Sequence, residues 1–175
     1  MALLKIARMG NPILARSADP VADPTAPEIA RLAADMIETM HDAPGIGLAA
    51  PQVHVPLRVV VFFLPPHRCA PGEPPVKETA MINPVIEPLS DEQGYDWEGC
   101  LSVPEWRGRV PRFNRIRYRY HTLDGEIVTR EVGGYHARVV QHECDHLDGV
   151  LYPKRMTDLG DLVHMSEMRH RMAAG

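Results

Sequence analysis

The spacing of hydrophobic positions predicts three helices along the chain. Apolar residues recur at intervals of three and four over residues 27–40, which indicates an amphipathic helix. Thr25 and Glu28 stand three residues apart at its start, which is the spacing of an N-terminal capping box. A second helix is predicted over residues 135–147 and a third over residues 158–172. In the third helix five apolar side chains are expected to face inward: Leu159, Leu162, Val163, Met168 and Met172.

Strands are predicted where β-branched, aromatic or alternating apolar residues cluster. Five segments have this character: 57–64, 80–83, 85–89, 115–121 and 126–132. The first is apolar throughout, as in a buried strand. The fourth alternates apolar residues with arginines, which predicts a half-exposed strand whose arginines face solvent. Asp124 and Gly125 form the turn signal that joins the last two segments in a hairpin.

The length and composition of the chain predict one domain over residues 1–175, because neither repeats nor a long linker divide it. The net charge of -4 gives no indication of a nucleic-acid-binding surface. The longest apolar run, residues 59–64, is far too short to cross a membrane. Three scattered cysteines do not suit a disulfide framework, so a reducing compartment such as the cytoplasm is expected.

The predicted second helix contains a His-Glu-x-x-His pattern formed by His142, Glu143 and His146. Positions i and i+4 lie on one face of a helix, so the two imidazoles can bind a single metal ion. Glu143 lies one step round the helix and can act as a base toward water without being a ligand. The pattern is typical of a hydrolytic metal site.

A catalytic metal usually has a third protein ligand, and the residues leave two candidates for it. Cys144 lies roughly 200° round the helix from His142 and is expected to be a packed core thiol. Tyr152 stands where a metzincin protease would carry its third histidine, which excludes that class. Glu167 has the position that a zinc endopeptidase of the gluzincin type would use, whereas Cys100 offers a thiolate. These last two residues remain open as the third ligand.

Three separate segments resemble the signature motifs of the peptide deformylase family. They are Gly45-Ile-Gly-Leu-Ala-Ala-Pro-Gln52, Glu98-Gly-Cys-Leu-Ser102 and Gln141-His-Glu-Cys-Asp-His146, in the order in which the family has them. The resemblance implies that Cys100 is the third ligand and that the metal is Fe²⁺, which Zn²⁺, Ni²⁺ or Co²⁺ can replace. It also implies an α+β fold in which antiparallel strands surround the metal-binding helix, with an N-terminal and a C-terminal helix.

The resemblance further implies hydrolysis of the N-formyl group from the initiator methionine of newly made polypeptides, with release of formate. Glu143 would be the general base, and the Gln52 side-chain amide with the Leu101 backbone N–H would stabilise the oxyanion. The partners would be N-formylmethionyl nascent peptides, together with transient contact with the ribosome.

The same resemblance suggests how a peptide substrate would be held. Gly45 and Gly47 would provide a backbone edge along which the peptide lies, although on their own these glycines fit a structural turn equally well. Ile46, Tyr135 and Val139 are candidate walls of the pocket for the methionine side chain. For Val139, a purely packing role explains the residue as well.

Two features of the chain depart from the family pattern: a proline-rich insertion around residues 65–75 and Trp106, just after the second motif. Both could affect substrate access, and neither touches the proposed chemistry. Two rival classes remain beside the deformylase interpretation. One is a zinc endopeptidase with Glu167 as third ligand, and the other is a non-catalytic module stabilised by a metal.

Overall fold

The structure, a computed structural model, describes residues 2–70, 72 and 74–173. Within these ranges the helices are α1 (Pro27–Asp42), α2 (Gly134–Leu147) and α3 (Met168–Ala173). The strands are β1 (Gly47–Ala49), β2 (Val59–Leu64), β3 (Val76–Pro88), β4 (Gln93–Cys100), β5 (Val103–Phe113), β6 (Arg115–His121), β7 (Ile127–Gly133) and β8 (Leu162–His164). No helix in the described part of the chain is long and apolar enough to cross a membrane.

The strands form two antiparallel sheets. The larger sheet has five strands in the order β1-β2-β3-β6-β7, and the smaller has three in the order β4-β5-β8. β4 and β5 form a long hairpin whose pairing ends at Cys100 and Val103. β1 and β7 are therefore the edge strands of the larger sheet, and β1 borders the cleft described below.

Helix α2 lies at the centre of this arrangement. It contacts β1, β2, β3, β6 and β7 of the larger sheet and β5 of the smaller one. Its residues 136–147 are all buried. Ala137, Val140 and Leu147 pack in a core cluster with Phe62 and Tyr118 from the larger sheet. Antiparallel strands around a central helix, the predicted α+β fold, are thus confirmed.

Helix α1 is amphipathic as predicted, but its start differs from the prediction. Ile29 and Met36 face a second core cluster that also contains Val59 and Val61 of β2. The prediction of a capping box is wrong. The N-cap residue makes no side-chain hydrogen bond to the helix, and the helix begins at Pro27. Proline suits this first position because its missing N–H would have no helical partner.

Thr25 does not cap the helix because it is engaged elsewhere. Its backbone N–H and its hydroxyl both donate to the carboxylate of Asp23, at 2.9 and 2.7 Å. A short loop side chain that accepts from the residue two positions later forms a local turn, which competes with capping.

The predicted break at Pro84 is absent, since β3 runs through it as one strand. The pairing shifts register between residues 82 and 85. Asn83 adopts a φ of 51° there, and its side chain bonds the N–H and the carbonyl of Val21 at 2.9 and 2.8 Å. A bulge supported by these bonds accommodates the proline without ending the strand.

The prediction of a long C-terminal helix is wrong. Residues 158–172 instead contain two short 3₁₀ turns, strand β8 and the six-residue helix α3. Leu159 and Met172, expected to face inward, are 70% and 62% exposed. Gly160 weakens a helix at this point by about 1 kcal/mol. The free edge of β5 offers backbone hydrogen bonds to β8, which the sequence pattern alone does not reveal.

Candidate functional site

The two histidines of the His-Glu-x-x-His pattern lie side by side on α2. Their ring centroids are 5.0 Å apart, and the rings are nearly perpendicular. Cys100, at the end of β4, places its Sγ 3.4 Å from the Nε2 of His146. One potential ligand atom from each of Cys100, His142 and His146 lies within 4.8 Å of the others. The fold therefore brings together the three residues that the family resemblance names as ligands.

A tight turn positions the thiol of Cys100. Cys100 pairs with Val103 across the β4–β5 hairpin, so Leu101 and Ser102 alone connect the two strands. The Ser102 backbone N–H donates to the Cys100 Sγ at 3.4 Å. Ser102 is fully buried. Ser102 thus anchors the turn in the interior, and its N–H fixes the direction of the sulfur.

Glu98 orients the ring of His142. Its Oε2 lies 2.8 Å from His142 Nδ1. A carboxylate can only accept here, so Nδ1 donates and Nε2 is the nitrogen left free to bind a metal. Burial alone would raise the pKa of Glu98, but hydrogen bonds from Arg112 and His142 hold it below the usual value. Glu98 therefore remains charged inside the protein.

A buried ion network extends from Glu98 through the interior. Arg112 donates to both oxygens of Glu98 at 2.9 Å and to Asp145 at 2.6 Å. Arg138 donates to Glu98 at 2.8 Å. Asp145 in turn accepts from Arg155 at 2.7 and 3.1 Å. The sequence pattern alone does not reveal the supporting role of these residues. For Arg138 and Asp145 the signal is a charge on a helix that is otherwise buried. Glu98 and Arg112 lie on partly exposed strands, where a charged residue gives no such signal.

The charges around Cys100 favour a bound cation. Burial tends to raise the pKa of Cys100, but the imidazoles of His146 and His142 lower it well below the usual value. For His142, burial disfavours the charged ring, while Cys100 and Glu98 raise its pKa well above the usual value. The lowered pKa of the thiol and the raised pKa of the imidazole both reflect the attraction between the Cys100 thiolate and the rings beside it, and Glu98 adds a further negative charge. A thiolate with two imidazoles is a donor set that suits Zn²⁺ and Fe²⁺, so the residues fit a metal.

Glu143 lies beside these residues in a buried position that suits a base. Its Oε2 has no hydrogen-bond partner within the part of the chain that the structure describes. Burial raises the pKa of Glu143 above the usual value. The carboxylate also lies directly against Gly47, where a Cβ would overlap it. A carboxylate held without partners in a buried site is available to accept a proton.

Gln52 lies on the other side of the Cys100 thiol. It is buried in a 3₁₀ turn, and its Oε1 accepts from the Ala49 N–H at 2.8 Å. Its Nε2 donates to Ser102 Oγ at 3.1 Å and lies 3.5 Å from Cys100 Sγ. The first bond fixes which end of the amide faces the site. An N–H donor is thus directed toward the group of three potential ligands.

These residues border one open cleft of about 1130 Å³. Of the residues predicted for the site, all except the more deeply buried His146 line it: Gly45, Ile46, Gly47, Gln52, Cys100, Leu101, Tyr135, Val139, His142 and Glu143. Ile46 and Tyr135 pack against the core cluster that contains Val139. Gly45 and Gly47 lie at or beside β1, the edge strand of the larger sheet.

The other candidate ligands lie outside this group. Glu167 belongs to a short 3₁₀ turn, where it is exposed and accepts from Ser166 Oγ at 2.9 Å. Among the described residues, the potential metal-binding group contains Cys100 and not Glu167. Cys144 is buried in the core, as expected, and burial raises the pKa of its thiol. The third-ligand position of the endopeptidase alternative is therefore not supported.

Comparisons with known proteins agree with this geometry. The family model described as polypeptide deformylase matches residues 3–161. The chain is 53% identical over 154 residues to peptide deformylase 1 of Bordetella pertussis, covering 88% of each chain. It is similar to the crystal structure of peptide deformylase from Ehrlichia chaffeensis, with a TM-score of 0.83, 33% identity and 91% of each chain covered. It is also similar to a class I type b peptide deformylase from Acinetobacter baumannii bound to Met-Ala-Ser, with a TM-score of 0.80 and 39% identity over 89% of this chain and 100% of that one.

Proposed function

This chain belongs to the peptide deformylase family, whose members remove the N-formyl group from new polypeptides, and we propose that Cys100, His142, His146 and Glu143 carry out that reaction here. One observation carries the assignment. The thiol and the two imidazoles converge beside an open cleft, next to a buried carboxylate whose Oε2 has no hydrogen-bond partner among the described residues. The residues form one catalytic domain with the rest of the chain.

Cys100, His142 and His146 would hold the metal, for which Fe²⁺ is our proposal, with Zn²⁺, Ni²⁺ or Co²⁺ able to replace it. When bound, such an ion supplies Lewis-acid chemistry, which makes water more acidic and polarises a carbonyl group. The thiolate and imidazole donors support a metal of this kind over Mg²⁺ or Ca²⁺, which prefer oxygen ligands. Glu98 supports His142 by fixing its tautomer through the 2.8 Å bond to Nδ1.

Glu143 acts as the general base and then as the general acid. It takes a proton from the water that attacks the formyl carbon, and it passes that proton to the nitrogen of the leaving amine. The bond between the formyl carbon and that nitrogen breaks, so the products are formate and a peptide with a free amino terminus. The burial that raises the pKa of Glu143 makes it a better base than an exposed glutamate.

Gln52 and Leu101 stabilise the negative charge that develops on the formyl oxygen. The Gln52 Nε2 is held by the bond between its own Oε1 and the Ala49 N–H, so its donor needs little reorganisation. The Leu101 backbone N–H belongs to the tight turn after β4. Each donor of this kind lowers the barrier by about 3 kcal/mol in other enzymes.

The substrate peptide lies along the edge of β1. Gly45 and Gly47 border the cleft there and leave room for a backbone, which can pair as an added strand. Ile46, Tyr135 and Val139 form the apolar walls around the methionine side chain. The similar protein from Acinetobacter baumannii, which is bound to Met-Ala-Ser, supports a peptide occupant.

The substrates would be N-formylmethionyl nascent chains. The protein would bind them in the cytoplasm during transient contact with the ribosome. The family supports this setting, because its reaction acts on newly made polypeptides. The acidic balance of the chain, with a net charge of -4, gives no support for a separate nucleic-acid site.

Formate release from formyl-Met-Ala-Ser by protein prepared without oxygen tests the proposal, with the metal content measured on the same sample. We expect formate and Met-Ala-Ser in equal amounts, and activity that is lost on chelation and restored by Fe²⁺ or Ni²⁺. Cleavage of internal peptide bonds without formate would instead indicate the endopeptidase class. Absence of both reactions in a metal-loaded sample would contradict an enzymatic role.

A further inference from the structure

The C-terminal segment reaches the cleft because β8 adds to the edge of β5. Trp106 pairs with His164 in this register. Their rings meet edge to face, with centroids 5.3 Å apart and planes at 87°. The His164 Nδ1 accepts from the Ser166 N–H at 3.3 Å and so caps the following turn. These contacts carry the residues after His164 to the rim of the cleft.

Three apolar side chains lie at this rim, and we call Trp106, Met165 and Met168 the apolar shelf. All three line the same cleft as Cys100 and Glu143. Trp106 is 41% exposed and Met165 is 51% exposed. Packing against the protein therefore leaves much of their apolar surface open to solvent. Exposed large apolar side chains next to a functional cleft mark a binding surface, and methionine adapts to ligands of varied shape.

We propose that the apolar shelf binds an apolar side chain at the second or third residue of the formyl peptide and so sets a sequence preference beyond methionine. The inference rests on the proposed function. An extended peptide advances about 3.3 Å per residue, so the residues after methionine leave its pocket along the open cleft. The side chains of those residues then face a rim that offers Trp and Met surfaces. The three shelf side chains are uncharged and offer an apolar surface, while Glu105 and Arg107, the chain neighbours of Trp106, also line the cleft with charges of opposite sign.

The apolar shelf would contact a part of the substrate that does not react. This determines whether it affects KM or kcat. Contacts made equally in the ground state and the transition state lower KM and leave kcat unchanged. We therefore expect an apolar second or third residue to lower KM. Burial of one apolar side chain against the shelf corresponds to a gain in kcat/KM of about three- to ten-fold.

The test compares kcat and KM for formyl-Met-Ala-Ser, formyl-Met-Leu-Ser and formyl-Met-Ala-Phe. Wild-type protein is expected to favour at least one of the two more apolar peptides, through KM. Trp106→Ala and the doubly substituted Met165→Gln, Met168→Gln protein should remove that preference while keeping kcat for formyl-Met-Ala-Ser. The glutamine substitutions preserve side-chain length, so they test the shelf even where Trp106→Ala disturbs β8.

Ile127→Ala is the matched control, because Ile127 is 59% exposed on β7 and does not line the cleft. It should keep the wild-type preference. Equal kcat/KM for all three peptides in the wild type, or an unchanged preference in both shelf variants, would overturn the inference while leaving deformylation intact. If none of the three peptides releases formate, the result would instead contradict the proposed function, and the shelf assignment with it.

Discussion

The carboxylate of Glu143 packs directly on the backbone of Gly47, so that any side chain at Gly47 would occupy the space of the carboxylate. The contact joins the edge strand β1, along which we place the peptide, to the residue that we propose as the base. A glycine at this position is therefore needed for the site, since the backbone must approach both a buried carboxylate and a substrate.

The first prediction follows from this contact. Gly47→Ala should displace Glu143 and lower kcat at least a hundred-fold, because small shifts of a positioned base cost large factors in rate. Metal content should stay near that of the wild type, since Cys100, His142 and His146 are unchanged. Kinetics and metal analysis on the same preparation check this. Near-normal kcat would show that the carboxylate can relocate without loss of function.

The second prediction concerns the base itself. Glu143→Gln should retain metal and lose turnover by about 10²- to 10⁴-fold, because an amide of the same size cannot accept a proton from water. The same substitution removes a buried group that has no hydrogen-bond partner in the described residues, so stability should not fall sharply. Formate release and thermal unfolding are measured together. A variant that keeps most of its activity would exclude Glu143 as the base.

The third prediction separates Cys100, the proposed thiolate ligand, from the other two cysteines. Cys100→Ser should bind metal far more weakly and lose formate release, because a hydroxyl is a poor substitute for a thiolate ligand. Cys69→Ser and Cys144→Ser should keep the metal stoichiometry. Cys144→Ser should lose some stability, since it buries a hydroxyl in the core. Full metal occupancy in Cys100→Ser, or metal loss in Cys144→Ser, would contradict the ligand assignment.

The fourth prediction concerns the supporting network. Glu98→Gln leaves the buried guanidinium group of Arg138 without its charged partner and leaves Arg112 with Asp145 alone, which should cost about 3–5 kcal/mol of stability. It should also weaken metal binding about 10- to 100-fold, because His142 loses the carboxylate that orients its ring.

A surface pair provides the control for Glu98. Arg117 and Glu131 meet at 2.6 Å but are both exposed, so Glu131→Gln should cost at most about 1 kcal/mol. Urea unfolding and metal titration compare the two variants. Equal losses of stability would mean that the buried network contributes no more than a surface ion pair.

The parts of the site that depend on local spacing could be predicted from the sequence. His142 and His146 lie on one helix face because of the period of the helix. The role of Glu143 as a base could be predicted because it lies between them. Cys100 could not be paired with them by spacing. The β4–β5 turn brings it to α2 from more than forty residues away, and only the family resemblance indicated it.

The errors in the predicted fold arise from interactions that a local sequence pattern does not contain. The alternation in β4 and β5 is obscured by charged residues such as Glu98 and Arg112, whose charges are satisfied inside the protein by one another. The apolar spacing predicts a C-terminal helix, but Leu159 and Met172 are exposed, and Leu162 packs against the core from a strand instead. Pairing of β8 with the edge of β5 replaces the helix, and that edge exists only once the sheet has formed.

The last prediction concerns pH and the buried His136. Its Nε2 lies 3.0 Å from the Tyr118 hydroxyl, and burial with the nearby charge of Arg130 lowers the pKa of His136 from 6.5 to about 4. In the unfolded chain the ring takes up a proton at a higher pH than in the folded protein, so its contribution to stability is complete above pH 6.5 and is lost as the pH falls toward 4. His136→Gln should therefore lose less stability than the wild type when the pH is lowered from 7.5 to 5. Urea unfolding of both proteins at these two values measures the difference, in which the carboxylates common to both cancel. Parallel losses of stability in the two proteins would mean that His136 does not remain neutral in the folded state.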